Sequence, residues 1–125
     1  MNVFSVIAST AGGAVGENRL VKPGGTAGQM VLATAATDLI VGVNRTTGGN
    51  AAAGERMSLG LSGLHPVVLG GTVAAGAAIT SDANGAGVAA APSAGVNNRV
   101  VGFAYEAGVS GDIIRVLFSQ HTMQG

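Results

Sequence analysis

The 125-residue chain has no cysteine and no tryptophan, and it is poor in charge of either sign, with six Lys or Arg against six Asp or Glu and a formal net charge of zero. Without cysteine there is no disulfide framework, no thiolate-ligated zinc and no thiol nucleophile, which suits maturation in a reducing compartment. Charged residues are 10% of the chain, against about 25% in an ordinary globular domain. A neutral chain gains little from counterion release on a polyanion, so nucleic acid is not an expected partner. Long apolar runs are also missing. Glycines and polar residues break every run well short of the roughly 18 residues that mark a spanning helix, so no membrane partner is expected either. The opening Met1–Ile7 lacks the basic start and apolar stretch of a secretory signal and reads as mature protein.

Glycine is what the chain has in excess, 22 residues in pairs and clusters with no every-third-residue period, which excludes collagen. The apolar segments between the clusters are short and rich in Val, Ile, Leu and Thr, the length and chemistry of strands. They predict strands over Asn2–Ala8, Arg19–Lys22, Gln29–Thr34, Leu39–Asn44, Glu55–Leu61, Leu64–Leu69, Ala77–Thr80, Arg99–Glu106 and Asp112–Ser119. The fold class is therefore all-β, a small β-barrel or sandwich with Gly-rich turns. The Ala-rich stretches Ala33–Thr37, Ala51–Arg56 and Val73–Ile79 have helix propensity, but each is too short and too closely bounded by breakers to hold a helix. One β domain spans residues 1–125. Residues 1–18 form an N-terminal arm or strand, and residues 119–125 form a flexible tail.

Alternation puts Met57, Leu59 and Leu61 on one face of their strand. In Asp112–Ser119, Ile114, Val116 and Phe118 share one face, yet Ile113 and Leu117 flank Arg115 on the other, so both faces meet something apolar and a partner subunit could supply the second cover. Pro66 cannot donate to a ladder, which makes Leu64–Leu69 an edge strand or a bulge. Asp82-Ala83-Asn84-Gly85 is a hairpin turn signal.

The chain also matches itself. Leu39-Ile40-Val41-Gly42-Val43 parallels Arg99-Val100-Val101-Gly102-Phe103 at an offset of sixty, and Gly54–Leu59 parallels Gly111–Val116 at fifty-seven. Gly24–Gly28 is matched with Gly70–Gly76. Two copies are too few for a solenoid but suit a pseudo-duplicated barrel.

Chemistry-bearing groupings are sparse. Gly60-Leu61-Ser62-Gly63-Leu64 misses the nucleophile elbow at its last position, and Ser110 sits in a turn. His65 and His121 are too few for a metal site; His65 reads as a partly solvated turn or edge residue, and His121 lies in the tail. Asp82–Gly85 departs from a calcium loop by its early glycine. Asp38, Glu55, Asp82 and Asp112 take solvated positions at strand ends. The glycine pairs lack the Lys-Ser/Thr ending of a phosphate loop. Asn44-Arg45-Thr46 fits a glycosylation sequon without any sign of secretion. No catalytic, metal or cofactor-binding residues are assigned, and no cofactor is expected.

Four blocks carry a family resemblance: Gly28–Asp38 leading into Ile40–Val43, the Ala75–Gly85 segment, Val101–Gly108, and Gly111–Leu117. In order and spacing they resemble the small capsid cement, or decoration, proteins of tailed bacteriophages, over most of the chain from about residue 20. The resemblance implies a compact β-barrel or sandwich without catalysis, made in the bacterial host cytoplasm, that binds the outer surface of the head in the virion. Its partners would be the major capsid protein, whose subunit contacts it strengthens, and itself as a homo-oligomer, with a trimer favoured and a dimer as the alternative. The apolar Val3, Phe4 and Val6 are the candidate contact residues, either as an arm adding a strand to a neighbour or the capsid, or as an ordinary first strand. The alternative function is a particle-displayed receptor- or glycan-binding module.

Overall fold

A computed structural model describes residues 6–46, 49–92 and 94–124, with residues 6–8 described by backbone alone. The described residues form ten strands: β1 (Val6–Ala11), β2 (Leu20–Pro23), β3 (Gln29–Leu32), β4 (Gly42–Asn44), β5 (Arg56–Gly60), β6 (Gly63–Val68), β7 (Ala78–Ser81), β8 (Gly87–Ala89), β9 (Asn97–Ala104) and β10 (Ile113–Gln124). There is no helix among the described residues. The first five strands close a barrel in the order β1-β3-β2-β4-β5, and the second five form a sheet in the order β6-β10-β9-β7-β8. All-β architecture with short strands between glycine turns is the consequence of the composition.

The two halves are the same unit twice. β1 pairs β5 as β6 pairs β10, β2 pairs β3 and β4 as β7 pairs β8 and β9, and β4 pairs β5 as β9 pairs β10, all antiparallel. The parallel β1–β3 contact returns as a parallel bridge between Leu69 and Gly87, which joins the two ends of the second sheet in the order of the first. Individual bonds repeat too. Ala11 N donates to Glu55 O and Gly54 N to Ala11 O, as Leu69 N donates to Asp112 O and Gly111 N to Leu69 O, all at 2.7 to 2.8 Å. Asn18, at φ 59°, occupies the left-handed position that Gly76, at φ 84°, fills in the second copy.

The offsets of sixty and fifty-seven are those of the strand registers: Val21↔Gly42 answers Ile79↔Gly102, and Val43↔Gly60 answers Phe103↔Leu117. The third match is corrected. Gly70-Gly71, which follows β6, is the counterpart of Gly12-Gly13 after β1, whereas Gly24–Gly28 is the β2–β3 turn and corresponds to Asp82–Gly85 between β7 and β8. Shared glycine content had suggested a pairing that the strand order does not allow.

Among the described residues the apolar side chains gather in two clusters. Ala11, Val15, Val21, Ala51, Met57 and Leu59 lie inside the first barrel. Leu69, Val73, Ile79, Ile114, Val116 and Phe118 occupy the equivalent interior of the second half, and that cluster continues onto the outside of the first through Leu20, Ile40 and Val43. Few of these side chains are large, so each contributes modestly, about 25 cal/mol per Å² of apolar surface buried. Asn44 is the most deeply buried polar residue among those described. It is fully buried, its Nδ2 lies 3.1 to 3.3 Å from the carbonyls of Val15, Gly16 and Gly49, and its Oδ1 accepts from the Thr46 N–H at 3.0 Å. The sequon asparagine is thus a core brace for the β4–β5 loop.

Other expectations are amended. β8 has no counterpart among the predicted strands, because Gly87-Val88-Ala89 is too short to show a pattern. Residues 119–124, read as a tail, continue β10, which passes a register shift after Phe118 and pairs with β9 as far as Gln124↔Asn97. In the stretch read as an arm, Val6–Ala11 is β1 and pairs with β5 and β3 of its own chain. Pro66 lies on β6, at the end of the second sheet's order, as its missing donor requires.

Candidate interface

The acids serve as turn braces. Asp38 Oδ2 accepts from the Thr34 and Ala35 N–H groups at 2.9 and 3.1 Å, Glu55 Oε1 from Ala52 at 2.6 Å, Asp82 Oδ1 from Asn84 and Ala86 at 2.8 and 2.9 Å, and Asp112 Oδ2 from Val109 at 3.0 Å. Burial pushes the Asp38 carboxyl up, but the Thr34 N–H and the Lys22 ammonium, 3.0 Å away, outweigh it and hold Asp38 below the usual carboxylate range. These contacts commit the carboxylates to local structure.

His65 is corrected from a solvated edge residue to a buried one. Its Nδ1 receives the Arg45 Nη1–H at 2.7 Å and its Nε2 lies 2.6 Å from the Ser62 carbonyl. A guanidinium only donates and a carbonyl only accepts, so the ring proton sits on Nε2. The ring also meets Phe118 edge-on, with centroids 5.6 Å apart. Short apolar neighbours gave no sign of this, because Arg45 and Gly60, which the ring faces, come from the other repeat.

Alternation along β6, β9 and β10 leaves one side of that sheet apolar and uncovered. Leu117 is paired with Phe103 on one side and with Leu64 on the other, so the three form a row across three strands. Their exposures are 48%, 39% and 40%. Tyr105 and Ile113 are exposed on the same face, where the Arg115 guanidinium lies 5.0 Å from the Tyr105 ring centre and its Nε is 3.1 Å from Glu106 Oε2. That pairing, Arg115 hydrogen-bonding first, draws the Glu106 carboxyl below its ordinary range. His121 stacks on Phe103 at 5.2 Å between centroids. Exposed apolar patches of this kind mark interaction surfaces. Ile113 and Leu117 were legible as the second apolar face of β10. Phe103 and Leu64 were not, since their registry with Leu117 depends on pairing.

Of the three candidate contact residues, Val6 opens β1 opposite Gly60, while Val3 and Phe4 lie outside the described residues. Between the repeats a small cleft of about 190 Å³ is lined by Leu39, Arg99, Gln120 and His121, among others. Among the described residues no acidic side chain lines it, and His121 is its one potential metal ligand.

No protein-family model and no curated protein matches the chain. Among solved structures it resembles the crystal structure of the head fiber gp8.5 N base of bacteriophage phi29, with a TM-score of 0.66 and 18% identity, over 91% of this chain and 92% of that one. The two share a fold. The likeness takes in nearly the whole of both chains, so what is shared is the two-repeat unit and not one sheet of it.

Proposed function

We propose that this protein is a non-enzymatic structural component of a tailed-phage virion, a cement or decoration protein seated on the outer surface of the head. In this reading it is made in the bacterial host cytoplasm, binds the major capsid protein, and strengthens contacts between capsid subunits as a homo-oligomer, a trimer first and a dimer second. The observation that carries the reading is the likeness of fold, over 91% of this chain, to the N base of a phage head fiber. It is supported by a neutral chain that avoids self-repulsion when many copies crowd a surface, and by the apolar face of Phe103, Leu117 and Leu64. Val3, Phe4 and Val6 remain the proposed contacts of the N-terminal segment with the shell or with a neighbour.

The test is sedimentation of purified protein with mature and immature heads of the virus that carries its gene, assembled without it. Saturable binding to mature heads and poor binding to immature ones is expected. Protein left in the supernatant with both would overturn the reading. A second reading, a displayed receptor- or glycan-binding module, draws on the exposed Tyr105 over Arg115; it predicts retention on host envelope glycans and no saturable site on heads.

A further inference from the structure

The two repeats carry the same outer face, and only one of these faces is covered. In the first repeat the face holds Leu20, Val43 and Gly60, paired in register Leu20↔Val43↔Gly60; Leu20 and Val43 have no exposed surface, and Gly60 is buried. The second repeat is the cover. The His65 ring sits so close over Gly60 that a Cβ there would meet it at 2.7 Å, and Arg45 donates to the same ring. The β7–β8 turn closes the edge, with Gly85 O accepting from Leu20 N at 2.7 Å and Asn84 O from Arg19 Nη1 at 3.1 Å.

At the corresponding positions of the second repeat stand Ala78, Phe103 and Leu117, again in register, but Phe103 and Leu117 are open to solvent. At the two positions left uncovered the second repeat carries the larger apolar residue, Phe for Val and Leu for Gly, whereas at the third, which is buried in both repeats, it carries Ala for Leu. A monomer gains only part of what that exchange offers, since Phe103 and Leu117, left 39% and 48% exposed, forgo close to half of the burial each could give, about 1.5–3 kcal/mol when complete.

We propose that this face of the second repeat is covered by the first repeat of another copy of the chain, repeating between molecules the contact that joins the two repeats within one. The inference rests on the homo-oligomer reading above and names its surfaces. Such a contact is heterologous, head to tail, and closes into a ring when its rotation permits. The element of the first repeat that corresponds to the covering β7–β8 turn is the β2–β3 turn, Gly24–Gly28, whose residues 25–28 are exposed and small enough to bring main chain close to a bulky face. Arg115 and Glu106 neutralise each other at the rim, so the contact is apolar and has little salt dependence.

The experiment combines light scattering with directed cross-linking. Wild-type protein at micromolar concentration is expected to have a mass that is a multiple of 12.0 kDa, and Leu117→Glu and Phe103→Glu, both at exposed sites, are expected to fall to 12.0 kDa with an unchanged circular dichroism spectrum. The chain has no cysteine of its own, so Thr26→Cys and Leu117→Cys proteins can be mixed with a short bismaleimide. Linked dimers are expected from the mixture and not from either variant alone. A monomeric wild type, an oligomer indifferent to both Glu substitutions, or self-linking by Leu117→Cys alone would each overturn the head-to-tail contact. Failure here is separable from failure of the capsid reading. A ring that ignores heads keeps this inference and removes the cement role, whereas a monomer that binds heads does the reverse.

Discussion

Gly102 offers the sharpest test of the repeat architecture. A Cβ at this position would overlap the Leu117 carbonyl oxygen and lie 2.8 Å from both the Leu117 carbonyl carbon and the Phe118 Cα, all of them main chain of β10. Ordinary contact begins at 3.4 Å, so β10 must retreat by at least 0.6 Å (3.4 − 2.8), and no side-chain rotation can relieve the strain. Overpacking of this kind costs about 1–3 kcal/mol, and loosening a strand pair by that amount weakens hydrogen bonds worth about 1 kcal/mol each. For Gly102→Ala we expect about 3 kcal/mol, and with an unfolding entropy near 2.1 cal/mol/K per residue this is a fall in Tm of roughly 10 °C. The companion is Gly13→Ala, where nothing lies within 4 Å of the new Cβ; its Tm should stay within about 2 °C. Thermal unfolding followed by circular dichroism reads both. A Gly102→Ala protein as stable as Gly13→Ala would refute the close β9–β10 approach, and with it the structural reason for the Gly42–Gly102 match.

Asn44→Ala should cost about 1–3 kcal/mol, because it takes the amide donor from the buried Gly49 carbonyl and the acceptor from the Thr46 N–H, while the Val15 and Gly16 carbonyls keep the Ala51 and Arg19 N–H groups; a chemical-denaturation midpoint near that of wild type would contradict it. Asp38 is held below its ordinary range in the folded protein, so its contribution is present above the unfolded value and is lost as pH falls through the folded one; Asp38→Asn should lower Tm at pH 6 and converge with wild type at the acid end, whereas a constant difference down to pH 2 would not fit. Gly60→Leu, which copies the second repeat's residue into the first, should force the His65 ring off its seat and lower Tm, while the same change in reverse, Leu117→Gly, should leave the monomer fold intact. Removing residues 1–5 keeps β1 whole from Val6; weaker binding to heads is expected if the N-terminal segment is a contact, and unchanged affinity would dismiss Val3 and Phe4 from that role.

Much of the fold was legible because strand length, glycine spacing and alternation all depend on local sequence. Met57 and Leu59 point inward as their period requires, Pro66 lies at a sheet edge, and Asp82–Gly85 turns a hairpin with Gly85 at φ 73°. The duplication was visible where a glycine or an alternating triplet marks a strand, and it misled where glycine alone was matched, at Gly24–Gly28. What could not be read was set by tertiary pairing. His65 looked like a solvated edge histidine until Arg45, twenty positions earlier, reached its Nδ1. Residues 119–124 have too little apolar patterning to announce a strand, yet β9 supplies the partner that makes them one. The candidate interface was half visible, in Ile113 and Leu117; Phe103 and Leu64 joined it only through register.

The measurement that bears most directly on function is a binding isotherm of the purified wild-type protein on mature heads assembled without it, read by sedimentation and followed by heating the loaded heads. The account predicts saturation at a fixed number of copies per head and retention of DNA to a higher temperature than in bare heads. Absence of saturable binding, or bound protein that leaves the temperature of DNA release unchanged, would contradict the cement role.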